Sequence, residues 1–132
     1  MTKPGGESCA FGHIAKRLVA KAGIMDVKML ARYEARAQII KAMAHPTRLF
    51  IVDVLSRGEQ CVRELTEMVG ADISTVSRHL AVLRGAGIIR DEKRGAQVYY
   101  TLACPCVLDF FGCVESVIQI TAKEQLALAE RK

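Results

Sequence analysis

Residues 62–102 read VRELTEMVGADISTVSRHLAVLRGAGIIRDEKRGAQVYYTL, and two periods follow one another within them. The first is helical. Leu65, Met68 and Val69 share one side of a segment from about Val62 to Val69, the spacing of an amphipathic helix. Gly70, Ala71 and Asp72 break it as a turn. The Asp72 carboxylate can accept the unpaired N–H groups of a new first turn. Ile73, Val76, Leu80 and Leu83 then stand at i, i+3, i+7 and i+10, and Gly85 and Gly87 close that helix. Beyond them the period drops to two. Ile88–Glu92 reads as a strand, Lys93, Arg94 and Gly95 as a turn, and Ala96–Leu102 as a second strand. In it Val98, Tyr100 and Leu102 alternate with Gln97, Tyr99 and Thr101. Two helices joined by a three-residue turn make a helix-turn-helix, and a hairpin directly behind it makes a winged one.

Working outward, Asp26 caps a helix on which Val27, Leu30, Ala31, Ala35, Ile39 and Met43 share a face. It should end near His45, because Pro46 disfavours helical backbone at the residue before it. Pro46 suits the first position of the next helix. There Leu49, Ile51, Val52, Val54 and Leu55 predict a buried element closed by Gly58. On the other side, a last helix from about Val107 to Glu130 carries Leu108, Phe111, Val114, Val117 or Ile118, Thr121 and Leu126 on its apolar side. Residues 1–12 show no period, and His13–Gly23 is a weak helical pattern with Ile14, Leu18 and Ala22 on one side. The expected fold is mainly α with a small β-hairpin, a homodimeric winged helix-turn-helix. Residues 1–28 are expected to be a partly disordered extension and 29–132 the DNA-binding and dimerisation domain.

The bulk numbers agree. At 132 residues, 51% hydrophobic and 25% charged, the chain is ordinary for one globular domain. A net charge of +5 favours anionic partners. With no Trp and only 5% aromatics, a stacking platform for single-stranded nucleic acid is a poor fit. No apolar run approaches a membrane span, and Lys16, Arg17 and Lys21 interrupt any signal-like stretch. The cytoplasm is therefore the expected compartment, where five cysteines are expected as free or metal-binding thiols rather than disulfides.

On the helix from Ile73, the positions outside the apolar stripe are Ser74, Thr75, Ser77, Arg78 and Ala81. Short hydroxyls let a helix approach a major groove closely, and an Arg reaches a guanine edge or a phosphate. His79 either faces a phosphate or packs at the helix flank. Arg90, Lys93 and Arg94 on the hairpin suit phosphates or a minor groove, diluted by Asp91 and Glu92.

The runs KAMAHPTRL (41–49), ISTVSRHLAVLRGAGII (73–89) and RGAQVYYTL (94–102) resemble the arsenical-resistance repressor family, the ArsR/SmtB metalloregulators. The resemblance spans about residues 30–125. It implies a homodimer joined through terminal helices, binding operator DNA without inducer and releasing it when the inducer binds. Leu108, Phe111, Val114 and Ile118 independently suggest a dimer, since a chain this short can hardly bury such a face alone.

Cys104, Cys106 and Cys113 lie where the second hairpin strand meets the last helix. Thiolates suit trivalent arsenic or antimony, and also Cd, Pb, Zn or Cu(I). Cys106 and Cys113 are seven residues apart, about 10 Å of rise on a continuous helix. Either that helix starts late or one ligand comes from elsewhere, with Cys61 and Cys9 in reserve. The resemblance also has departures. Arsenic sensors of the familiar type carry Cys-Val-Cys at the start of the helix that begins here at Val62, and here Arg63 replaces the second thiol. The last helix has Asp109 and Glu115 but no His, which disfavours a Zn, Ni or Co site there. The sequence thus predicts a repressor induced by arsenite or another soft ion at Cys104, Cys106 and Cys113, with no cofactor in the DNA-bound form. A redox or persulfide sensor, or a Cd or Pb sensor, on the same fold is the alternative. No catalytic constellation stands out, so an enzyme is not expected.

Overall fold

The computed structural model describes residues 25–131. The elements are α1 (Val27–Met43), α2 (Pro46–Leu55), β1 (Gln60–Cys61), α3 (Val62–Val69), α4 (Ile73–Gly85), β2 (Ile89–Arg94), β3 (Gln97–Leu102) and α5 (Val107–Glu130). Two units divide after Lys41. The weak helix expected over 13–23, Cys9 and the tail lie outside the described residues.

In the first unit, α1 starts as expected, with the Met29 N–H donating to the Asp26 carboxylate at 2.8 Å. The helix stops at Met43, two residues before the expected end. His45 is extended instead, and its ring Nδ1 accepts the Thr47 N–H at 3.1 Å, capping α2 behind Pro46. Four unpaired N–H groups open every helix, so a capping histidine followed by proline is a complete start signal.

In the second unit, the buried core gathers Ala42, Met43, Ile51, Val52, Val54, Leu55, Leu65, Val76, Leu80, Leu83, Ile88, Ile89 and Tyr100. The apolar stripes of α2, α3 and α4 converge on it, and the sheet closes its far side through Ile89 and Tyr100. Three stripe positions differ from expectation. Met68, Ile73 and Leu49 stay exposed. Each lies at a helix end or on an edge of its stripe, where neighbouring elements no longer cover it. Leu80 has no exposed surface, so Leu80→Ala leaves a cavity between α4 and the core. It is expected to cost about 2–5 kcal/mol, measured as the shift in urea midpoint at constant slope.

Gly70 ends α3 in the left-handed conformation, φ 77°, and its N–H closes on the Thr66 carbonyl at 2.9 Å. Asp72 then caps α4 by accepting the Thr75 N–H at 2.7 Å. The turn between the two helices is the one read from the sequence.

The sheet is larger than the expected hairpin. It has three antiparallel strands in the order β1-β3-β2. The strand β1 pairs Gln60 with Tyr100 and Cys61 with Tyr99. The hairpin turn also moves. Lys93 and Arg94 belong to β2, opposite Val98 and Gln97, and the loop is only Gly95 and Ala96. Gly95 takes φ 63°, which a two-residue hairpin loop requires and glycine supplies without strain.

The helix α5 runs over the expected span, but none of its residues is buried. Val107 and Phe111 lean on the core. Val114, Val117, Ile118, Ile120, Leu126 and Leu128 remain exposed. Among the described residues no helix is long and apolar enough to cross a membrane.

Candidate nucleic-acid interface and thiol pair

The outer face of α4 carries Ser74, Ser77, Arg78 and Ala81, all exposed, with Thr75 half-buried at its edge. The Ser74 hydroxyl donates to the Asp72 carboxylate at 3.1 Å, which holds the helix start rigid. Thr75 first, and then Ser74, hold the Asp72 carboxyl below the usual range by hydrogen bonding to it. Arg78 makes no ion pair with any of the described residues. A cation left free beside short hydroxyls is what a groove-reading helix needs.

His79 takes the flank position rather than the outer face. It is half-buried, its ring lies 4.5 Å from that of His45, and its Nδ1 meets the Arg48 guanidinium at 3.2 Å. Arg48 in turn donates to the Ala42 carbonyl at 2.6 Å. Burial first, then the charges of His45, Arg48 and Arg78, push the His79 pKa down from its ordinary 6.5. A histidine held neutral when folded stabilises fully above that ordinary value. Stability is then lost as pH falls below it and through the lowered folded value. The melting temperature is therefore expected to drop between pH 7.5 and pH 5.5, and His79→Gln should flatten part of that slope.

The hairpin cations divide into free and committed. Arg90 and Lys93 are exposed and carry no ion pair among the described residues. Arg94 is committed. It donates to Glu59 at 2.6 and 2.9 Å and to Glu92 at 2.8 Å, and its guanidinium lies 4.7 Å over the Tyr99 ring. These carboxylates raise its pKa, and the Arg94 hydrogen bond is the main reason that Glu59 is lowered. Sequence reasoning missed this clasp. Glu92 was findable, since residues two apart on a strand share a face. Glu59 was not, because β1 places it. Arg84 bridges α4 to β2 through Asp91 at 2.8 Å.

At the other end of the hairpin, Ala103 donates to the Ile88 carbonyl at 2.9 Å, and Ile88 donates to that of Leu83 at 3.1 Å. Cys104, Pro105 and Cys106 then form one tight turn into α5. Val107, Leu108 and Asp109 donate to the carbonyls of Cys104, Pro105 and Cys106 at 3.2, 3.1 and 3.1 Å. This winding swings residues 104 and 106 to one side, and their sulfurs lie 2.8 Å apart, both exposed. The hydrogen bond to Cys104 and the charge there push the Cys106 pKa up, with smaller contributions from burial and Asp109.

Since α5 starts at Val107, Cys113 stands two turns beyond the pair, about 10 Å along the axis. Cys61 is buried at the N-terminus of α3, where its N–H donates to the Glu64 carboxylate at 2.8 Å. Among the described residues, no three His, Cys, Asp or Glu side chains cluster as a metal site. The geometry therefore brings together two of the predicted thiols and not the third.

A helix-turn-helix with a free arginine on its second helix, backed by a β-wing, defines a DNA-binding regulator rather than an enzyme. Residues 45–91 match the family model described as bacterial regulatory protein, arsR family. The transcriptional regulator MJ1325 of Methanocaldococcus jannaschii is 32% identical over 89 residues, 67% of this chain and 100% of that one. The cadmium resistance regulatory protein CadC homolog of Staphylococcus aureus is 37% identical over 67% of this chain and 66% of its own. Among solved structures, a homodimeric winged helix-turn-helix DNA-binding domain from Mycobacterium bovis superposes with a TM-score of 0.60. It is 28% identical, over 78% of this chain and 92% of that one. The chain belongs to the ArsR family of transcriptional regulators.

Proposed function

We propose that this chain is a repressor that binds operator DNA as a homodimer. It lets go when a thiophilic inducer, trivalent arsenic, takes the Cys104 and Cys106 thiols. The observation that carries the inducer reading is the 2.8 Å approach of the two sulfurs at the strand–helix junction. Two soft donors on one short exposed turn can chelate a soft ion once they part by about 1 Å, since metal–sulfur bonds of about 2.3 Å set them about 3.8 Å apart. Cys113 supplies a third sulfur only if the junction rearranges or a second subunit presents its copy. Cys61 and Cys9 remain reserves. The exposed apolar residues of α5 and the homodimeric neighbour support the dimer, and the cadmium-resistance relative supports a soft-metal class.

The coupling has a short path. Cys104 follows Ala103, which is tied to Ile88, which is tied to Leu83 on α4. A junction reshaped by arsenic pulls on the base of the reading helix. By linkage, operator weakens arsenite binding by the factor that arsenite weakens operator binding.

The specific observation favouring a second reading is that, among the described residues, only the Cys104 and Cys106 sulfurs meet. A pair can lose two electrons and two protons to a peroxide and close as a disulfide, the peroxide leaving as water.

The test is the anisotropy of labelled promoter DNA bound to reduced protein, titrated with arsenite, cadmium and hydrogen peroxide. Arsenous acid forming two As–S bonds with two thiols releases two waters and no net proton. Cadmium displaces one proton per thiol, and the Cys106 proton is held more tightly than usual. The arsenite midpoint is therefore expected to be flat from pH 6 to 8, while cadmium binding strengthens by about 100-fold per pH unit. Release by peroxide alone, reversed by a dithiol, would move the protein to the redox reading.

A further inference from the structure

Ile73 is the one member of the α4 stripe that the fold leaves out. Val76, Leu80 and Leu83 have no exposed surface, whereas Ile73 is 56% exposed. It opens the helix, and at 100° per residue Ser77 and Ala81 continue its edge. Ser74 and Arg78 form the adjacent row, four residues apart. The helix α4 thus offers an apolar, branched, exposed side chain at its first position and, five residues on and about 140° around the axis, a guanidinium that makes no ion pair among the described residues. Small residues between them keep nothing in the way.

Base edges in a major groove present matching chemistry. Guanine offers two acceptors to an arginine, and thymine offers a 5-methyl group to an apolar side chain. We propose that Ile73 is a specificity-determining residue that packs on a thymine methyl while Arg78 takes a guanine. Five residues of helix rise are about 7.5 Å, so both contacts fall within one operator half-site. The inference rests on α4 being the DNA-reading helix, as proposed above.

The experiment separates the two claims. Duplexes are selected by the full chain from a randomised pool, and each thymine of the best one is replaced singly by deoxyuridine, which removes the methyl group alone. For wild type, one thymine per half-site should be sensitive, with about fourfold weaker binding for one lost buried methyl. Ile73→Ala, whose melting temperature should match wild type because the side chain is exposed, should bind deoxyuridine and thymine duplexes equally at that position. A flat deoxyuridine scan for wild type, or unchanged sensitivity in Ile73→Ala, overturns the inference while leaving α4 as the reading helix. Selection that enriches no duplex overturns the reading of α4 as well.

Discussion

Cys104→Ser is expected to bind operator with wild-type affinity and to stay bound when arsenite is added. The side chain is exposed and far in sequence from Ser74, Ser77 and Arg78, so the substitution leaves the reading face intact. It removes one of the two sulfurs that meet at 2.8 Å and with it the chelate. Loss of a supporting group around a metal ligand already costs about 10- to 100-fold in affinity, and loss of a ligand should exceed that. Cys106→Ser should behave alike. Cys113→Ser separates the possibilities for the third sulfur: retained induction places that ligand elsewhere, and lost induction means that the junction rearranges on binding or that a second subunit presents its Cys113. Full induction in both Cys104→Ser and Cys106→Ser, read by the same anisotropy titration, would remove the thiol pair from the mechanism.

Arg78→Ala should weaken operator binding by about 2 kcal/mol per half-site, roughly 30-fold, and relax the preference for one base. Its guanidinium makes no ion pair with the described residues, so removing it breaks nothing inside the fold, and the melting temperature should hold. Arg94→Ala makes the useful contrast. Its guanidinium is spent on Glu59, Glu92 and Tyr99, so operator affinity should change little while the wing loosens. If Arg94→Ala proved the larger loss, the wing rather than α4 would carry the contact. A loss from Arg78→Ala that is uniform across base substitutions, with the salt slope reduced by about one, would make it a phosphate contact.

The sequence by itself determined the elements that are built from neighbours in the chain. The cap at Asp72, the turn at Gly70 and the three-residue spacing between α3 and α4 all appear where the residues require them. So does the span of α5. Each depends on hydrogen bonds and apolar contacts within a few residues, which is the range over which periodicity and capping are legible. The position of Arg78 outside the apolar stripe of α4 was legible for the same reason.

Only the tertiary structure decided what depends on residues distant in sequence. Two residues, Gln60 and Cys61, are too few to show a period, and they became a strand because β3 offered an unpaired edge. That pairing carried Glu59 to Arg94 over 35 positions, giving an arginine that the sequence offered to a phosphate two carboxylate partners within the protein. Packing of α2 on α4 set His79 against His45 and Arg48 instead of toward a phosphate. It also left Ile73 outside the core its spacing had placed it in. The cysteines show both sides. Their softness and their clustering were plain in the sequence. Which sulfurs meet was decided by the winding of residues 104–109 into α5, because a chelating pair depends on ångström-scale direction that composition and spacing do not encode.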